Sequence, residues 1–193
     1  MEAKAELRRT IKERLSQMTE NDRRIESQII VQELMKRMPE TPSVIAAYSP
    51  YVDEPDIRPL LTKLLEQKNV ICMGKIEAQR MIMHRVRSFD DIGRNPVTNI
   101  LEPTVNDPVD ESTITLAIIP GRAFTRQGQR MGRGKGGYDR WLAEQSTKNP
   151  MMKTIGVCFD CQLLPELPIE PHDRAVDAVL TATVYAERNR PHN

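Results

Sequence analysis

An α/β fold is what this sequence predicts, and three observations carry the prediction. Short, nearly continuous apolar runs recur along the chain at Val44–Tyr48, Val70–Met73, Ile114–Ile119 and Thr154–Phe159, and such runs read as buried strands. Between the first two lie Ile57, Leu60, Leu61, Leu64 and Leu65 at helical spacing, so strand, helix and strand follow one another as a βαβ unit. A glycine-rich, cationic stretch follows the third run and leads into another helical pattern. With 193 residues the chain suits one well-buried domain and is short for two, so residues 1–186 are assigned to a single domain and 187–193 to a frayed tail.

In chain order, the first element is a helix from about Ala3 to Met18 with the apolar stripe Leu7, Ile11, Leu15 and Met18. Lys4, Arg8 and Lys12 stack on one of its faces, balanced by Glu2, Glu6 and Glu13, and a solvated face is the ordinary meaning of such a row. Thr19 to Asp22 resembles a helix start, and a second helix carrying Ile25, Ile29, Leu34 and Met38 runs to the break at Pro39–Pro42. The loop from Ser49 to Asp56 holds Asp53, Glu54 and Asp56 at the C-terminal end of a strand, where open α/β sheets place ligands. Glu54 is thus a site candidate, although a solvated loop acid is the commoner outcome. Gln79 to Val86 reads as an edge strand with His84 as a packing or surface side chain, and Ser88 to Ser112 as irregular connection. After the strand at Thr154–Phe159, Gln162 to Arg174 is proline-punctuated loop and Val176 to Thr181 a last short strand. Asp177 interrupts that strand, either as an edge acid in solvent or as a carboxylate aimed at a cation. The tail from Ala186 is expected to fray.

The cationic stretch, Pro120 to Trp141, reads P-G-R-A-F-T-R-Q-G-Q-R-M-G-R-G-K-G-G-Y-D-R-W. It holds six of the nine glycines and six basic residues against one acid, Asp139. Tyr138, Trp141, Leu142 and Gln145 fall at helical spacing, so the loop opens a helix. Glycines let backbone N–H groups approach a phosphate, the amides of the first helical turn point the same way, and Arg and Lys neutralise the remaining charge. Gly132, Gly134 and Gly137 match G-x-G-x-x-G, with Asp160 near the distance of a ribose acid. A dinucleotide fingerprint, however, starts at the strand's end, whereas Gly132 comes roughly a dozen residues after Ile119. Nor is this a Walker loop, because Lys135 is followed by Gly136 rather than Ser or Thr. The bland alternative is a flexible basic surface loop.

Composition bounds the function classes. With 28 basic and 27 acidic residues there is no global bias toward nucleic acid or membrane. An RNA-binding module using the Arg/Gly loop as a phosphate clamp is further disfavoured by a content of only one Trp, four Tyr and three Phe. No apolar run approaches membrane-spanning length and M-E-A-K-A-E lacks a signal peptide's apolar core, so a cytoplasmic protein is expected; a monomer is expected separately, with small molecules as its partners. Three cysteines cannot all pair; Cys158 and Cys161 form a lone C-x-x-C read as free thiols, since zinc would need two more ligands.

The segment from Ile118 to Arg140, I-I-P-G-R-A-F-T-R-Q-G-Q-R-M-G-R-G-K-G-G-Y-D-R, resembles the signature of the 5-formyltetrahydrofolate cyclo-ligase family, also called methenyltetrahydrofolate synthetase. K-A-E-L-R (Lys4 to Arg8) resembles the family's nucleotide-contacting first helix, and E-P-D-I (Glu54 to Ile57) its acid-bearing substrate loop. N-I-L-E-P (Asn99 to Pro103) and the run from Gln162 to Thr181 resemble later segments, so the similarity spans essentially the whole chain.

The resemblance implies a single three-layer domain, a mixed and mostly parallel sheet flanked by helices, Rossmann-like in the manner of the NagB, RpiA and CoA-transferase folds. It implies ATP- and magnesium-dependent ring closure of 5-formyltetrahydrofolate to 5,10-methenyltetrahydrofolate, releasing ADP and phosphate. By that analogy the nucleotide is held by Lys4, Ala5, Glu6, Leu7 and Arg8 and by Arg130, Met131, Gly132, Arg133, Gly134, Lys135, Gly136, Gly137, Tyr138 and Asp139. Lys4, Arg130 and Lys135 act on the reacting phosphate. Glu54, Gly137 and Tyr138 meet the reduced folate, and Asp139 and Asp177 hold Mg2+. One position departs from the family pattern: two tyrosines usually precede the motif's aspartate, and here the first is Gly137. The rival reading is a catalytically silent nucleotide- or folate-binding relative of the same fold.

Overall fold

In the computed structural model, which describes residues 2–170 and 173–188, the apolar runs become the middle of one seven-stranded sheet. The order along the chain is α1 (Glu2–Gln17), α2 (Glu20–Met35), β1 (Val44–Ala47), α3 (Arg58–Glu66), β2 (Val70–Glu77), β3 (Arg80–Val86), β4 (Ile92–Arg94) and β5 (Leu101–Pro103). Then come β6 (Ile114–Pro120), β7 (Ala123–Thr125), β8 (Arg130–Met131), α4 (Gly137–Lys148), β9 (Lys153–Val157), β10 (Leu163–Leu164), β11 (Ala178–Leu180) and β12 (Tyr185–Glu187). The large sheet runs β12-β11-β9-β6-β1-β2-β3, with parallel pairing from β11 to β2 and antiparallel strands at both edges. A mixed, mostly parallel sheet between helices is therefore the observed architecture.

Both faces of the central strands are covered because successive side chains point to opposite sides. Ile45, Ala47, Ile71 and Ile118 meet α2 and α3 through Ile30, Leu34, Leu60 and Leu64. Ala46, Cys72, Ala117 and Ile119 meet α4 through Trp141 and Leu142. Helix α1 stands apart from both layers, with Ile11 and Leu15 seated on Ala123, Met131 and Phe159. Ile11 and Leu15 are 0% and 2% exposed; burial of each contributes about 2 kcal/mol. That contact fixes α1, and with it Lys4 and Arg8, against the hairpin β7–β8 that opens the glycine loop. Phe124 on β7 reaches the large sheet only because Gly156 has no side chain, for a Cβ there would lie 2.3 Å from the ring.

Several local expectations change. Helix α2 starts at the predicted place, where Thr19 and Asp22 form a capping box, but its buried residues are Ser27, Ile30, Val31 and Leu34. Ile25 and Ile29, expected in the apolar stripe, are 42% and 37% exposed. Residues 88–112 are not wholly irregular: β4 and β5 pair antiparallel within them. β2 continues past Met73 into a hairpin with the edge strand β3, and His84 is fully buried there, its Nδ1 accepting from Asp107 N at 3.1 Å. The chain does not fray at Ala186, because Tyr185–Glu187 pairs with β11; residues 189–193 lie outside the described residues. Among the described residues no helix is long and apolar enough to cross a membrane.

Candidate active site

The topology sets where a ligand can enter. β1 is flanked by β2 and β6: the chain leaves β1 through α3 to one side and later returns on the other. The loops leaving the C-terminal ends of β1 and β6 therefore diverge, and a crevice opens between them. It is a cleft of about 610 Å3, with Tyr48 and Glu54 on one wall, Arg130 to Asp139 on another, and Thr98 to Leu101 across its mouth.

On the glycine-loop side, Arg130 is the structural centre. It sits on β8 with its side chain 3% exposed, donating from Nη2 to Asp139 Oδ1 at 2.8 Å and from Nη1 to Pro120 O at 3.1 Å. Its guanidinium thereby ties the hairpin to the end of β6 and to the first turn of α4. Gly136 begins that helix in the left-handed region at φ +67°, which glycine adopts without strain. Lys135 reaches across the mouth, with Nζ 3.4 Å from Thr98 O. Gly132 and Tyr138 line the cleft, whereas Met131 turns away into the core under α1.

The other wall is acidic. Glu54 is 7% exposed; its Oε1 accepts from Arg133 Nε at 3.0 Å and Nη2 at 2.8 Å, and its Oε2 from Tyr51 N at 3.1 Å. Burial raises its pKa above the ordinary carboxylate value, and the opposing charge of Arg133 does not cancel the rise. Asp53 moves the other way: burial would raise it, but ion pairs with Arg133 and Arg122 hold it below the usual range. Burial also pushes up the phenols of Tyr48 and Tyr138. Both therefore stay protonated donors at neutral pH.

Helix α1 contributes two cations, and they are not a solvated row. Lys4 is 7% exposed, with Nζ 2.8 Å from Glu170 Oε2 and 2.5 Å from Asp173 Oδ2. Burial works against its charge, yet the two carboxylates outweigh that and its pKa is raised. Arg8 donates from Nε to Gly132 O at 2.9 Å, joining α1 to the glycine loop. Leu7 is partly buried beneath the helix, while Ala5 and Glu6 are exposed.

The expected metal pair is not assembled. Asp139 faces the cleft, but Asp177 lies just before β11 beside Thr154 of β9, at the N-terminal ends of the parallel strands and outside that cleft. Its Oδ2 accepts from Thr154 N at 2.9 Å and Oγ1 at 3.0 Å. Among the described residues no three His, Cys, Asp or Glu side chains gather as a metal cage. Asp139 and Asp177 thus do not fit as shared ligands of one magnesium ion, because the sheet separates its two ends. Asp177→Ala is expected to lower stability by about 1–3 kcal/mol through the unpaired Thr154 amide. It should leave the magnesium dependence of turnover unchanged, as urea denaturation and a magnesium titration would check.

Five contributors lie outside the expected site residues. Arg122 and Asp53 are joined in an ion pair, and the Tyr51 ring lies 4.6 Å beneath Arg133. The acids facing Lys4 are Glu170 and Asp173. The only local signal was the Asp53-Glu54 doublet, since the partners are 69 to 169 residues away. At Gly137, a Cβ would meet nothing within 4 Å except Ile76 Cδ1 at 4.0 Å. The place of the usual tyrosine is open space on the Ile76 side of the cleft.

A cationic glycine-rich loop set against an acidic loop at the strand switch point defines an α/β enzyme fold with a bipartite cleft. The chain belongs to the 5-formyltetrahydrofolate cyclo-ligase family, whose model matches residues 1–182. The mouse 5-formyltetrahydrofolate cyclo-ligase is 29% identical over 189 residues, covering 92% of this chain and 93% of that protein. The Escherichia coli K12 enzyme of the same name is 39% identical over 77 residues, 40% of this chain and 41% of its own. Among solved structures, Aquifex aeolicus 5,10-methenyltetrahydrofolate synthetase superposes with a TM-score of 0.81 at 28% identity, covering 98% of this chain and 95% of that one. Family membership makes the chain a ligase of folate metabolism, with ATP implied as co-substrate.

Proposed function

We propose that this cleft closes 5-formyltetrahydrofolate to 5,10-methenyltetrahydrofolate, using ATP and releasing ADP and phosphate. The observation that carries the reading is the opposition of Arg130, Lys135 and the Gly132–Gly137 backbone to the buried Glu54 within one cleft. A formyl oxygen is a poor leaving group. In the reaction it attacks the γ-phosphorus, the bond to ADP breaks, and the formyl carbon becomes electrophilic. The folate's tenth nitrogen then attacks that carbon, its proton is lost, and the C–O bond breaks with departure of phosphate. Phosphoryl transfer asks mainly for alignment and charge stabilisation.

In this reading Arg130, Lys135 and Arg8 neutralise the polyphosphate, joined by Lys4 only where it exchanges Glu170 and Asp173 for phosphate oxygens, the loop amides and the first turn of α4 orient it, and Glu54 accepts from the N–H groups of the reduced pterin. Tyr138 forms the floor between the two ligands. Magnesium enters as the counterion of the triphosphate, since Asp139 and Asp177 do not share a site. The test is direct: purified protein with ATP, magnesium and 5-formyltetrahydrofolate should develop the absorbance of the methenyl product. Binding of both ligands without product would instead assign the silent relative.

A further inference from the structure

Arg133 belongs to the loop that the proposed function gives to the nucleotide, yet its guanidinium is held by the wall given to the folate. Nε and Nη2 donate to Glu54 Oε1, Nη2 and Nη1 reach Asp53, and the face of the group lies on the Tyr51 ring. The two acids differ in what they keep if Arg133 leaves. Asp53 retains Arg122, which sits just before the neighbouring strand at the same open end of the β7–β8 hairpin, with its own N–H bonded to Met131 O at 2.7 Å. Glu54 retains only the Tyr51 amide on Oε2 among its described partners, and Oε1 loses both of its donors. A buried carboxylate oxygen stripped of donors is a strong acceptor for any N–H group offered to it.

We infer that Arg133 is a shared cation coupling the two halves of the cleft: a polyphosphate on the glycine loop draws it off Glu54, and the freed carboxylate then binds the N–H edge of the reduced folate more tightly. This inference rests on the proposed function for the identity of both ligands. A guanidinium suits the exchange because it can hold carboxylate and phosphate in the same forked geometry. Arg122 keeps Asp53 paired throughout, so Asp53 is the positioning residue that receives Arg133 back when the phosphate leaves. The coupling is reciprocal by linkage: whatever factor the nucleotide adds to folate affinity, folate adds to nucleotide affinity.

The experiment is equilibrium titration of 5-formyltetrahydrofolate into the full-length protein, with and without a saturating non-hydrolysable ATP analogue. In the wild type the analogue should tighten folate binding on the order of tenfold. In Arg133→Gln the ratio of the two dissociation constants should fall to near one, with Arg133→Lys between them. Arg133 is one-third exposed, so these variants are expected to fold. A wild-type ratio near one overturns the coupling without recourse to any variant. A large ratio that survives in Arg133→Gln overturns the role of Arg133. Failure of either ligand to bind the wild type would overturn the proposed function itself, and this inference with it.

Discussion

Replacing Arg130 by methionine is expected to cost about 3–5 kcal/mol of stability and to lower turnover by about a hundred- to a thousandfold. The side chain is 3% exposed and holds Asp139 and the carbonyl of Pro120 together. Methionine fills much of the same volume but donates nothing, so Asp139, whose side chain is only 13% exposed, is left without that partner. A broken half-buried ion pair is costly mainly for the charge left behind. The two losses can be separated with a double variant, Arg130→Met with Asp139→Leu, which removes both charges. Urea denaturation should recover most of the stability, short of about 0.5 kcal/mol for an acid lost from the first turn of α4. Turnover should stay low, because the phosphate has lost its central cation. If the double variant regained activity, Arg130 would be a structural strut and the phosphate contacts would lie elsewhere.

What the sequence disclosed follows from how local each signal is. β1, β6 and β9 are buried on both faces, so their side chains are almost all apolar and the strands stand out without an alignment. Trp141, Leu142 and Gln145 showed which face of α4 is buried for the same reason. Helix α2 was harder: five apolar residues, from Ile25 to Leu34, admit two stripes, and only packing on the sheet selects Ile30, Val31 and Leu34 over Ile25 and Ile29. β7, β8 and β10 have two or three residues each and exist only through pairing, so no period could announce them. The site divides in the same way. Glycines, arginines and Glu54 are visible as residue types in their loops. The pairing of Asp53 with Arg122 and Arg133, and of Lys4 with Glu170 and Asp173, is a property of the fold alone. For Asp177 the sequence pattern left an edge acid and a cation ligand open and the resemblance alone gave it to the metal, whereas its carboxylate closes the gap between β9 and β11 at Thr154.

Glu54→Gln should trade function for stability, with a pH signature that fixes the cause. Losing a charged acceptor for the folate's N–H groups lowers kcat/KM for 5-formyltetrahydrofolate by about tenfold to a hundredfold. Stability moves the other way. Burial holds the Glu54 pKa above that of an unfolded glutamate even with Arg133 alongside, so the folded state favours the protonated form. For a pKa raised on folding, the group's contribution is fully present below the unfolded pKa and is lost as pH rises through the folded one. Above its folded pKa the wild type therefore carries the ionised, less stable form, whereas glutamine mimics the protonated acid at every pH. The variant should melt at a higher temperature than the wild type at pH 8, and the gap should close as pH falls into the ordinary carboxylate range. A variant less stable than the wild type at pH 8 would mean that the Arg133 ion pair outweighs the burial of the carboxylate. The charge would then be held there for packing rather than kept for the substrate, and the folate would need another acceptor.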